Sequence, residues 1–290
     1  MVCVMSYTEV AYSVADRIAT IALNRPQARN GYTITMSDEL EDAFSRADSD
    51  PDVRVVVFTG EGTDFCVGAD LSAGSLEVAG DDTGGGGEAG GEQSWQEPAG
   101  RCSRRIFASN KPVIAAIRGA AVGAGSTIIL PADYRLAATD ARFGFVFSRR
   151  GIYPEGASTW FLPRLVGLGT ALDWMVSGRV FGAEEAARAG LVHQLHEPED
   201  VLDKAYELAR DLADNTAPVS VAVIRQMLYR MSPLDSPDPV HEVDSRLIAE
   251  CASDPDAVEG IMAFLQRRAP EFSGTVDKDI PAWLPWREKP

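Results

Sequence analysis

The stretch Val53-Arg54-Val55-Val56-Val57-Phe58-Thr59, with Phe65-Cys66-Val67-Gly68-Ala69-Asp70-Leu71 a few residues on, decides the fold. The first piece is β-branched and apolar without a polar alternation, the pattern of a strand buried on both faces. Such a strand belongs in a sheet covered by helices, which is usually parallel. The second piece is a small-residue loop placed just beyond that strand. Upstream, residues 17–23 are short and apolar and close on the turn-like Asn24-Arg25-Pro26. Between the two strands a helix is expected over 37–47. Met36, Leu40 and Phe44 recur every fourth residue, and Ser37 is placed to cap the start. Downstream, residues 112–117 and 134–138 read as further strands. Strands alternating with helices give an α/β chain built from βαβ units.

The last third changes character. Residues 199–213, 218–231, 239–252 and 257–267 carry helical patterns, and Val201, Ala205, Leu208 and Leu212 give the first of them one apolar face. The expected organisation is an α/β core over 1–198, a helical region over 199–272 and a tail over 273–290. Residues 73–100 hold four consecutive glycines and several acids, which reads as a long mobile loop, either a solvated insertion or a lid. The tail, with Trp283 and Trp286 among prolines, reads as an extended strap docked on a surface.

The chain has 290 residues and a net charge of −16, from 27 basic and 43 acidic side chains. That balance argues against a general nucleic-acid binder, which needs a basic surface. One phosphate needs only a few local cations, so a polyanionic ligand stays open. Cys3, Cys66, Cys102 and Cys251 are far apart, and His193, His196 and His241 offer no third ligand, so neither a disulfide framework nor a metal site is expected. Residues 1–10 lack the pattern of a signal peptide, and no apolar run reaches membrane-spanning length. The expected compartment is the cytoplasm.

Two glycine-containing loops follow strands, 65–71 and 119–126. Small residues let backbone approach a ligand closely. Backbone N–H groups from two such loops can together form an oxyanion hole, although glycine loops also serve turns and packing. No dinucleotide or P-loop signature is present.

Taken in order, several pieces resemble the crotonase superfamily, the enoyl-CoA hydratase/isomerase family. They are Leu23-Asn24-Arg25-Pro26 with Ala28-Arg29-Asn30, then residues 53–60 leading into 65–71, and the loop 119–126. They continue with Phe143-Gly144 through Gly151 and Pro154, Ala186 with Gly190-Leu191-Val192, and Glu259-Gly260 to Phe264 with Arg267-Arg268. The resemblance spans about residues 8–272. It implies a crotonase-like spiral of ββα and βαβ turns with a C-terminal helical trimerisation region. It also implies an acyl-CoA thioester substrate, a homotrimer or dimer of trimers, and no cofactor beyond the coenzyme A of the substrate. Matched by motif, the oxyanion N–H groups fall on Ala69 and Ala124. Ala28 and Arg29 would lie near the coenzyme, and Ala69, Asp70, Leu71, Ser72 and Ala124 would line the thioester and its coenzyme. Asp70 would brace its loop or face the coenzyme.

Hydratases of this family carry two glutamates, whose positions here are Thr127 and Phe147. Neither side chain can act as a carboxylate, which puts ordinary hydration in doubt. A different carboxylate, Glu155, follows Pro154. Its position resembles that of the lone acid in Δ3,Δ2-enoyl-CoA isomerase-like members, so Glu155 is expected to be a single general acid/base for a 3-enoyl to 2-enoyl shift. Apolar neighbours (Phe147, Trp160, Phe161) would raise its proton affinity. Without the resemblance, Glu155 reads as an acid facing the N-terminus of a helix over 158–166. The competing readings are a hydratase or another crotonase-type lyase or hydrolase and, from another class, a non-catalytic acyl-CoA-binding protein. Arg149-Arg150 reads as a phosphate site or a surface pair, and Cys66 as a packing residue.

Overall fold

The computed structural model describes residues 7–72, 74 and 95–287. A hairpin opens the chain. Strand β1 (Val10–Ala15) turns through Asp16 and Arg17, both at positive φ, into antiparallel β2 (Ile18–Leu23). From β2 the chain passes through α1 (Ile34–Ser49) to β3 (Val55–Gly60), which pairs parallel to β2. All six residues of β3 are buried, as its unbroken apolar run requires.

Helix α2 (Pro98–Ala108) leads to β4 (Val113–Ile117), β5 (Ala120–Val122) and the single-turn helix α3 (Ala124–Thr127). Next come β6 (Tyr134–Ala138), β7 (Arg142–Gly144), α4 (Ser158–Ser177), β8 (Val180–Gly182), α5 (Ala183–Arg188) and β9 (Gln194–His196). The main sheet has the order β1-β2-β3-β4-β6-β9, parallel from β2 onward, and a second sheet has the order β5-β7-β8. The expected α/β architecture is therefore present. The loops after β2, β3 and β4 gather at the carboxyl ends of parallel strands, where open α/β sheets bind ligands.

Helix α1 buries Met36, Leu40, Ala43, Phe44 and Ala47 against the sheet. Phe58 of β3 holds an edge-on pair with Phe44 at 5.3 Å and another with Phe65 at 5.1 Å, so helix, strand and first glycine loop share one aromatic contact chain. Each such pair adds about 0.5–1.5 kcal/mol beyond its buried area. The helix starts earlier than its apolar spacing suggested. Thr33 is its cap, accepting from Met36 N at 3.0 Å. Ser37 is buried instead, and its hydroxyl donates to Pro98 O at 2.7 Å, tying α1 to α2.

Residues 73 and 75–94, most of the expected 73–100 loop, lie outside the described residues. The expected loop does not run to Gly100, because α2 begins at Pro98. Pro98 suits the first turn of a helix, and Glu97 caps it, accepting from Gly100 N at 2.6 Å. Helix α4 also outruns its expected end, reaching Ser177 across a break at Gly167.

Beyond β9, α6 (Val201–Asn215) lays Val201, Ala205, Ala209 and Ala213 into the main core beneath the sheet. Leu208 and Leu212 lie at the margin of that face. Helices α7 (Pro218–Met231), α8 (Asp238–Cys251) and α9 (Pro255–Gln266) complete the helical region. Over residues 273–287 the tail runs through a series of turns rather than as a straight strap. Val276, Ile280 and Leu284 recur every fourth residue and pack on Ala222 and Val223 of α7.

Candidate active site

The two glycine loops meet directly. Cys66 N donates to Ala120 O at 2.8 Å and Val122 N to Cys66 O at 2.9 Å, a short parallel bridge between them. Gly125 sits so close to this bridge that a Cβ there would collide with Cys66 O and come within 2.8 Å of Cys66 Cβ. Asp64 locks the arrangement from outside. Its carboxylate accepts from Ala120 N at 2.8 Å and from Arg29 Nε at 2.8 Å, and its pKa is held below the usual carboxylate range, chiefly by Arg29. Buried Asn30 donates to Asp64 O at 2.8 Å and Glu61 O at 2.9 Å.

Ala69 bridges Tyr32, and that bridge uses Gly68 O and Asp70 N, leaving the Ala69 N–H pointing away from it. Ala124 is the first residue of α3, so its N–H lies outside the intrahelical bonding of that turn. Two backbone donors from two interlocked loops are thus left for an external acceptor. Ala124 itself is buried.

Glu155 comes to the second loop from the other side. Its backbone carbonyl, not its carboxylate, opens α4, accepting from Ser158 N at 3.0 Å and Ser158 Oγ at 2.6 Å. The carboxylate turns inward to Thr127, whose Oγ1 lies 3.3 Å from Glu155 Oε1. The same hydroxyl makes a shorter bond, 2.9 Å, to Ala124 O. One hydroxyl has one proton, so the longer contact is the weaker of the two, and it pulls only modestly toward the ionised form of Glu155. The Glu155 pKa is pushed up to about 7, first by burial and next by the charge of Glu97, against a lowering by the Thr127 hydrogen bond. Gly156 makes room for this contact. It sits at φ +63°, and a Cβ there would lie 3.0 Å from Thr127 Cβ and 3.1 Å from Ser103 Oγ.

Glu97 is the site residue that the sequence did not reveal. Its Oε1 accepts from Gly156 N at 2.8 Å, the residue after Glu155. Tyr32 and Cys66 also lie within electrostatic reach of Glu155, and burial keeps both protonated: the Tyr32 hydroxyl is raised well above its usual value and the Cys66 thiol is pushed up to about 12. Trp160 and Phe161 gather instead around Phe107, with ring centres 5.8 and 5.7 Å from it.

The remaining sequence candidates fall around this centre. Asp70 is an ion-paired brace: Arg25 Nη1 lies 2.9 Å from its carboxylate and Ser72 N donates to it at 3.0 Å. Its pKa is lowered to about 2, first by the bonds from Ser72 and then by Arg25. Leu71 and Ser72 are exposed at the loop's lip. Ala28 ends a single 3-10 turn, and Arg29 beyond it reaches Asp64 with most of its side chain in solvent. Phe147 is buried. Arg149 and Arg150 are exposed, and Arg149 donates to Ser177 O at 2.8 Å.

Residues 14–275 match the enoyl-CoA hydratase/isomerase family, and the chain belongs to that family, whose members act on acyl-CoA thioesters. It is 39% identical over 263 residues to Enoyl-CoA hydratase ACTT3 of Alternaria alternata, covering 90% of this chain and 85% of that protein. It is 33% identical over 266 residues to 1,2-epoxyphenylacetyl-CoA isomerase of Escherichia coli strain K12, covering 90% and 97%. A crystal structure of enoyl-CoA hydratase from Mycobacterium tuberculosis H37Rv superposes with a TM-score of 0.79 at 31% identity, covering 92% of this chain and 99% of the other. The relatives are mostly named hydratases, with the epoxyphenylacetyl-CoA isomerase among them.

Proposed function

We propose that this enzyme moves the double bond of a 3-enoyl-CoA into conjugation, giving the 2-enoyl-CoA. Ala69 and Ala124 N–H hold the thioester oxygen, and Glu155 is the single acid/base. The observation that carries this reading is the Glu155 carboxyl turned onto Thr127, one turn from the Ala124 N–H, where a hydratase would carry its own glutamate. The Glu155 carboxylate takes a proton from C2. The C–H electrons move toward the thioester carbonyl and the resulting dienolate oxygen is held by the two N–H groups. The Glu155 carboxylic acid then returns the proton at C4, and the carboxylate is regenerated. A base with a pKa near the working pH serves both halves of this transfer.

Hydration has two observations in its favour, the hydratase names of most of the relatives and the second carboxylate of Glu97 beside Glu155. Both Glu97 oxygens accept backbone N–H groups, however, which suits a fixed anion better than a group that must activate water.

In the same reading Ala28, Arg29, Leu71 and Ser72 lie along the coenzyme, and no cofactor beyond it is needed. Assembly as a homotrimer or dimer of trimers is supported by α9, which leaves Phe264 82% and Leu265 67% exposed. No helix among the described residues is long and apolar enough to cross a membrane.

Two results test the chemistry. Glu155 must be ionised in the free enzyme to take the C2 proton. So kcat/KM for a 3-enoyl-CoA should fall tenfold per pH unit below a midpoint near 7, following the raised pKa. A flat profile between about pH 5 and 8 would remove Glu155 from the role of base. Gly125→Ala should wedge the two loops apart and displace the adjacent Ala124 N–H. A loss of about 100-fold in kcat is expected, the scale of a misplaced oxyanion donor. Unchanged kcat in the folded variant would place the thioester oxygen elsewhere.

A further inference from the structure

We propose that Glu97 is the positioning residue of this site: it clamps the Glu155-Gly156-Ala157 turn to the start of α2 and sets a fixed negative charge beside Glu155. This rests on the reading of Glu155 as the acid/base. The clamp has two jaws. One Glu97 oxygen accepts from Gly100 N at 2.6 Å, capping α2, and the other accepts from Gly156 N at 2.8 Å. The turn it holds is an unusual one. Gly156 and Ala157 are both left-handed, at φ +63° and +52°. For Ala157 that conformation is disfavoured, and it persists only where surrounding contacts enforce it. Within the turn, the Glu155 and Ala157 carbonyls are taken up by the first turn of α4, and Glu97 takes the N–H that faces the opposite way. A carboxylate serving two N–H groups leaves its remaining charge directed at its neighbours.

Among the described residues, the groups facing Glu155 come from four elements. They are Glu97 before α2, Tyr32 before α1, Cys66 of the first loop and Thr127 of α3, with Cys102 of α2 behind Tyr32. Thr127 does not titrate. Tyr32, Cys66 and Cys102 are buried and stay protonated through neutral pH, both thiols being pushed up to about 12. Among the described residues, Glu97 is thus the charged neighbour that raises the proton affinity of Glu155. Holding the turn and supplying the charge are separable, because the first needs reach and the second does not.

The test uses the full chain labelled with 13C at the glutamate side-chain carboxyls, with Glu155→Gln identifying the Glu155 signal. In Glu97→Gln the charge is gone, and the Glu155 titration midpoint should move to lower pH, with the acid limb of kcat/KM moving with it. In Glu97→Asp the charge and the helix cap survive but the reach to Gly156 is lost. There the midpoint should stay raised while kcat falls roughly 10–100-fold at nearly constant KM, as expected for a misplaced reacting group. An unchanged midpoint in Glu97→Gln, or unchanged kcat in Glu97→Asp, would overturn the proposal. Failure of the underlying reading looks different: Glu155→Gln would retain turnover while the two Glu97 variants still altered the Glu155 titration.

Discussion

Glu155→Gln is expected to lower turnover of a 3-enoyl-CoA by roughly 10²–10⁴-fold, the usual worth of a positioned acid/base. The amide keeps the size of the side chain and can still accept from Thr127 Oγ1, so the contact at 3.3 Å has a replacement. What disappears, on the proposed mechanism, is the ability to take a proton from C2 and return it at C4. The fold should be untouched, because the backbone carbonyl of residue 155 opens α4, and Gly156 N still meets Glu97. Binding of an acyl-CoA should persist for the same reason, as the Ala69 and Ala124 donors belong to the backbone. The pattern to look for is therefore a collapse of kcat with little change in melting temperature or in coenzyme affinity. Turnover within a fewfold of the parent would mean that another group moves the proton.

Arg225→Ala should cost about 3–5 kcal/mol of stability, the scale for removing one partner of a buried ion pair. Arg225 reaches from α7 under the end of α2 and is almost fully buried. Its guanidinium donates to Ile106 O at 2.9 Å, to Phe107 O at 3.0 Å and to Ser109 O, and its Nε lies 2.8 Å from Asp133 Oδ2. Phe107 O is among the carbonyls that a helix C-terminus leaves without intrahelical donors, Ile106 O is shared with Ser109 N at 3.1 Å, and a cation there interacts favourably with the helix dipole. Truncation strands several acceptors and the Asp133 carboxylate together. Gln226 covers only part of the loss, through its bond to Ser109 O at 2.7 Å. A loss of this size is a large share of the 5–15 kcal/mol typical of a domain, and thermal or denaturant unfolding will read it directly. A loss below about 1 kcal/mol would show that water replaces the guanidinium without penalty.

The sheet was legible wherever residues announced burial on both faces. Val55–Gly60 and Val113–Ile117 read as strands because each carries an unbroken apolar run, followed in the first by the β-branched Thr59. Strand β1 went unread because its burial alternates and its outer end is exposed, leaving a weak apolar signal. Helix α2 went unread for a different reason. Its apolar face is well separated from its arginines, but that face is made mostly of small residues, Ala99, Gly100, Cys102 and Ser103 beside Ile106, and the helix begins within the glycine-rich run that reads as a loop. Thr33, not Ser37, caps α1, since both types suit a cap and only the chain path decides between them.

The site was legible in part. Ala69, Ala124 and Glu155 were recognisable as positions in a family pattern, and Thr127 and Phe147 as departures from it. The contact between Thr127 and Glu155 was not, because it joins α3 to a turn 28 residues later. Glu97 lay beyond reach altogether. It borders a glycine- and acid-rich run, and the residue it holds, Gly156, is 59 positions away. No spacing rule links a carboxylate to a backbone N–H at that distance.

The most direct measurement follows the conjugated thioester absorbance with two substrates, a trans-3-enoyl-CoA and a trans-2-enoyl-CoA. Absorbance that appears with the first and persists, while the second is left intact, is the predicted result and is what a single carboxylate and two backbone donors should produce. Loss of absorbance from the 2-enoyl-CoA, with a mass gain of one water, would contradict the account and make Glu155 and Glu97 a hydrating pair.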